Sequence, residues 1–74
     1  MKQQYVVKEV KMLLNYDRIR LAMARKAYGI PELASAYGVS KQRMNVIVNS
    51  RNVTTRTAGK LAKVLDVDVT EIID

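Results

Sequence analysis

The sequence predicts an all-α fold, a compact bundle of five or six short helices. Three observations carry that prediction: apolar residues recur at helical spacing through several segments, the one proline stands where a helix begins, and capping residues mark the segment ends.

Residues 1–14 form a segment of their own. Val6, Val10 and Leu13, with Val7 and Leu14 on the neighbouring stripe, follow helical spacing, although Tyr5-Val6-Val7 could equally open a strand. An extra helix is the reading adopted. Packing onto the rest of the domain is its expected role, ahead of a contact between two copies. An arm reaching out to a partner is disfavoured, because Lys2 is the only charge before Lys8.

The first helix of the main body is capped by Asn15 or Tyr16, with Asp17 near its positive end and Ile19, Ala22, Met23 and Ala27 facing inward. Gly29 or Ile30 starts the second. Pro31 fits its first turn, where a missing N–H does no harm, and Leu33, Ala34 and Tyr37 form the inner stripe. Gly38 follows where the chain must turn out through a left-handed residue, a conformation open to glycine at little cost. Ser40 caps the third helix, whose stripe is Met44, Ile47 and Val48, while Lys41, Gln42, Arg43 and Asn45 point away. From Gly29 to Asn49 the chain therefore reads as a helix-turn-helix, with small Ala34 where the two helices cross.

Beyond it, Asn49-Ser50-Arg51-Asn52 reads as a polar loop. Thr54 or Thr55 caps a fourth helix carrying Ala58, Leu61, Ala62 and Leu65, and Asp66-Val67 ends it. Asp68 and Glu71 are spaced as a capping box for a last helix from Val69 to Ile73.

Charge points to the partner. Thirteen basic residues against seven acidic give +6, and the interval between Glu32 and Asp66 holds no acid while it carries Lys41, Arg43, Arg51, Arg56, Lys60 and Lys63. A face of that kind attracts phosphates and binds nucleic acid in a salt-dependent way.

These residues together resemble the helix-turn-helix domain of the phage repressor and Cro family, also called the XRE family. Leu33-Ala34, Gly38, Met44 and Ile47 occupy its two-helix scaffold. Leu61-Ala62, Leu65 and Val67, followed by Val69 and Ile72-Ile73, match its closing signature. The likeness runs without a gap from about Asn15 to Asp74, roughly four fifths of the chain. It implies a lambda-repressor-like domain, a small phage or mobile-element repressor or Cro protein that binds double-stranded operator DNA as a homodimer and excludes polymerase from a promoter. Its paired recognition helices would meet half-sites about one helical turn apart.

The resemblance places the third helix in the major groove. Lys41 can then donate to guanine, Gln42 can bridge adenine, Asn45 is a further base reader, and Val46 stands where many relatives carry a polar reader and can touch a thymine methyl. Phosphates fall to Ser40, Arg43, Asn49, Arg51, Thr54 and Arg56, and to the N–H groups at Gly29 and Ile30 where the second helix begins. There are two departures. Relatives usually carry a polar residue, often glutamine, at Ile30, and many carry an arginine–glutamate pair where this chain has Met23 and Val48. Apolar replacement of a buried ion pair is often neutral or stabilising, so Met23 is expected to touch Val48.

Other classes are excluded by composition. The chain has no cysteine and no histidine, so disulfides, zinc fingers and a histidine base are not expected. Asp66, Asp68, Glu71 and Asp74 lack the glycine and late glutamate of a calcium loop and read as helix caps, so no metal is expected. The four tyrosines, the only aromatics, are expected in the core or at its rim rather than as stacking platforms. No apolar run approaches the ~20 residues that span a bilayer, and Met1-Lys2-Gln3-Gln4 opens no signal peptide, so a cytosolic protein is expected. Seventy-four residues make one domain, without an expected enzyme site, cofactor or small-molecule ligand. Two rivals share the fold: a module that binds another regulator, as antirepressors and some antitoxins do, and a non-specific architectural DNA binder.

Overall fold

Four residues cap the four α-helices, and each does so with the chemistry its side chain allows. The computed structural model describes residues 11–74, in the order β1 (Lys11–Leu13), α1 (Tyr16–Arg25), α2 (Ile30–Tyr37), α3 (Lys41–Asn49), β2 (Asn52–Thr54) and α4 (Thr55–Leu65), then one 3₁₀ turn at Val69–Glu71. Asn15, Ser40 and Thr54 each accept a backbone N–H three residues on, at 3.0, 3.1 and 3.2 Å. Gly29 has no side chain to offer. There the Glu32 carboxylate reaches back and accepts the Gly29 N–H at 2.8 Å, the reciprocal half of a capping box.

The helix ends follow the same local logic. Gly38 leaves α2 with φ +96°, and its N–H donates to the Ala34 carbonyl at 2.8 Å. Asp66 leaves α4 in the left-handed region at φ +58°, one of the few side chains that tolerates it. One inward assignment is corrected: α1 stops at Arg25, and Ala27 lies beyond it at φ +56°, exposed rather than in the core.

The core gathers one stripe from every helix. Ile19, Leu33, Met44, Val48, Leu61, Leu65 and Ile72 are fully buried, with Ala22, Met23, Ala34, Tyr37, Ile47, Ala58 and Ala62 around them. Met23 and Val48 share this core, and α1 packs on α3. Of the tyrosines, Tyr37 is buried and Tyr28 half-buried, whereas Tyr16 is exposed beneath the Arg20 guanidinium, and Tyr5 lies outside the described residues.

The all-α expectation is corrected by a small antiparallel sheet, in which Lys11 faces Thr54, Met12 faces Val53 and Leu13 faces Asn52. Leu14 continues into a bridge with Ile73. Leu13 and Leu14 therefore belong to extended chain, not to an extra helix. One points out and the next is buried, as a pleat requires. The earlier part of the proposed helix, with Val6, Val7 and Val10, lies outside the described residues. The helix count is corrected too: among the described residues there are four α-helices, and the last predicted helix is only the 3₁₀ turn Val69–Glu71. Ile72 and Ile73 are drawn off by backbone pairing, since the Ile72 carbonyl accepts the Asn15 N–H and Ile73 bridges Leu14.

Candidate nucleic-acid interface

The candidate interface centres on α3, where the buried stripe fixes what the other side presents. With Met44, Ile47 and Val48 in the core, Gln42, Asn45, Val46 and Asn49 recur at i, i+3, i+4 and i+7 on the exposed face, beside Lys41. Val46 is the one large apolar side chain there, 56% exposed. The Ser40 hydroxyl accepts the Arg43 N–H and keeps its own proton for an outside acceptor.

Electrostatics separate the helices into two pairs. α1 and α2 carry an acid in the first turn, Asp17 and Glu32, which answers the positive end of the helix dipole. α3 and α4 carry none. Instead Lys41 and Arg43 stand in the first turn of α3 and Arg56 in that of α4, an arrangement that costs each helix a few tenths of a kcal/mol to about 1 kcal/mol until an anion arrives. Among the described residues, Lys41, Arg43, Arg56, Lys60 and Lys63 have no carboxylate partner; Lys60 lies 4.5 Å from the centre of the Tyr37 ring.

Several residues assigned to phosphates already have partners inside the protein. The Gly29 N–H is held by Glu32, and the Ile30 side chain packs partly against the core. Asn49 donates to the Asn45 carbonyl at 2.8 Å, which ties down part of its amide at the end of α3. Thr54 is half-buried, and its hydroxyl bonds Thr57 both at the backbone and at the side-chain oxygen. Arg51, in the short link from α3 to β2, pairs with Asp74 at 2.9 Å. Ser40, Arg43 and Arg56 remain exposed and open to solvent.

Two partners escaped sequence reasoning for different reasons. Glu32 stands three residues after Gly29, a capping-box spacing that could have been read. Asp74 lies 23 residues from Arg51, and only the bridge of Ile73 to Leu14, just after β1, brings them together.

The acidic residues near the C-terminus are engaged as caps and ion pairs. Asp68 and Glu71 form the capping box of the 3₁₀ turn, and Glu71 also meets Arg25 at 3.1 Å. No group of three or more possible metal ligands occurs among the described residues, and none of their helices is long and apolar enough to cross a membrane. No curated protein and no solved structure matches the chain. A family model does match, over residues 18–74, and so takes in all four helices almost whole: by that match, and by the basic helix starts and exposed α3 face just described, the chain belongs to the Cro/C1-type helix-turn-helix DNA-binding domain family.

Proposed function

We propose that this protein is a sequence-specific transcriptional regulator, a repressor or Cro-like protein of a phage or mobile element, which occupies operator DNA as a homodimer. In this reading residues 1–74 act as one DNA-binding domain. Lys41, Gln42, Asn45 and Val46 read base edges, and Ser40, Arg43, Asn49, Arg51, Thr54, Arg56 and the start of α2 at Gly29 and Ile30 meet phosphates. Occupation of a promoter would exclude polymerase.

The observation that carries the proposal is the pair of positive helix starts. α3 and α4 both place basic side chains where the dipole already leaves positive charge, and neither has an acid to answer it. Polyanionic DNA relieves both at once.

A second reading, a protein-binding module such as an antirepressor or antitoxin component, draws on exposed Val46 and on Leu21, which is 64% exposed on α1. Selection from a random duplex library at about 150 mM salt separates the two. A recovered inverted repeat supports the dimeric regulator. Weak binding equal on every duplex supports an architectural role, and absence of binding supports the protein-binding module.

A further inference from the structure

Arg51 is an exception among the basic residues of its stretch. Between Lys41 and Lys63 it alone, among the described residues, has a carboxylate partner, Asp74. The two ends of that pair are anchored very differently. Asp74 is fixed by its own N–H, which donates to the Leu13 carbonyl at 2.9 Å, and by Oδ1, which accepts the Asn15 side-chain amide at 2.8 Å. The Arg51 backbone is fixed as well, its carbonyl accepting the Leu14 N–H at 2.7 Å, but its side chain is 71% exposed and meets Asp74 through one nitrogen only.

From this asymmetry we propose that Asp74 is a built-in competitor for DNA: it holds the Arg51 guanidinium on a protein carboxylate until a backbone phosphate takes it. The inference rests on the DNA-binding reading above, in which Arg51 meets a phosphate. Carboxylate and phosphate present the same kind of oxygen pair to a guanidinium, so one can replace the other without new geometry. A single-pronged, solvent-exposed ion pair is weak, which makes the exchange cheap. Asp74 stays behind with both of its other bonds. Arg51 is therefore biased towards Asp74 by a small margin, which a phosphate held close by the rest of the interface overcomes.

Binding of one fixed duplex, followed by fluorescence anisotropy, tests this with wild type, Asp74→Asn, Arg51→Ala and the double variant. Asp74→Asn keeps an oxygen for Asn15 and is expected to tighten binding about two- to fivefold, while Arg51→Ala weakens it. In the Arg51→Ala background the Asp74→Asn gain should vanish. Asp74→Ser, which keeps the main-chain bond to Leu13, repeats the test with a shorter neutral side chain, and thermal melting checks that each variant is folded. Weaker binding by both Asp74 variants, or an equal gain with and without Arg51, overturns the proposal. Wild type that binds duplex while Arg51→Ala loses nothing overturns this proposal alone, and wild type that binds no duplex overturns the DNA-binding reading with it.

Discussion

Glu32 Oε1 accepts the Gly29 N–H at 2.8 Å, so the start of α2 carries an anion supplied by the protein itself. A phosphate approaching that helix end meets a carboxylate already in place. Glu32→Gln should retain the hydrogen bond, because glutamine also closes a capping box, and lose only the charge. Stability is expected to fall by about 0.5 kcal/mol, read from denaturant unfolding, as the dipole loses its counter-charge. Duplex binding should tighten at the same time. Unchanged or weaker binding would show that no phosphate docks at the α2 start.

Two glycines should respond to alanine with opposite signs. Gly38 has φ +96° with nothing within 4 Å of an added Cβ, so the cost of Gly38→Ala is purely conformational, about 1–2 kcal/mol. Gly59 lies inside α4 with equally open space and no positive φ, so Gly59→Ala should stabilise the protein by about 0.5–1 kcal/mol. Thermal denaturation of the two variants side by side reads both effects. A loss of stability in Gly59→Ala would sink the prediction for α4.

What was legible in the sequence was whatever repeats or caps locally. The stripe Met44, Ile47 and Val48, the caps Asn15, Ser40 and Thr54, and the left-handed Gly38 all stand as their residue types predict. The sheet was not legible, because Asn52-Val53-Thr54 shows a single alternation, too short to read as a period, and its partner strand lies some 40 residues earlier. Leu13 and Leu14 fit a helical stripe as well as a pleat, and only pairing with Asn52 and Ile73 decides between them. At the interface, exposure of Lys41, Gln42, Asn45 and Val46 followed from helix geometry. The partner of Arg51 did not, since the chain must close on itself to bring Asp74 there, whereas the capping-box spacing of Glu32 after Gly29 was open to reading.

Ile72 tests how far the C-terminal turn belongs to the core. It is fully buried although it lies only two residues from the end of the sequence, and its carbonyl accepts the Asn15 N–H at 2.8 Å. Ile72→Ala should cost about 2–5 kcal/mol, the range for truncating a buried isoleucine. At roughly 0.05–0.15 kcal/mol of net stability per residue, a chain of this size would lose a large part of its margin. Urea unfolding measures the change. A loss below about 1 kcal/mol would mean that the turn frays in solution.

The proposed base readers and phosphate contacts should fail in different ways. Once a preferred duplex is known, Lys41→Ala and Gln42→Ala should each lose about 1–3 kcal/mol of discrimination against a substituted base pair, because a side chain on the exposed α3 face gives up a donor pattern. Arg56→Ala, in the first turn of α4, should instead weaken binding evenly across sequences and lower the slope of log affinity against log salt by about one. Val46→Ala should change preference only where a thymine methyl lies within reach, leaving the salt slope unchanged. Affinities of all four variants on matched and mismatched duplexes, each at several salt concentrations, separate these behaviours. If Arg56→Ala altered sequence preference while Lys41→Ala altered only the salt slope, the roles of α3 and α4 would have to be exchanged.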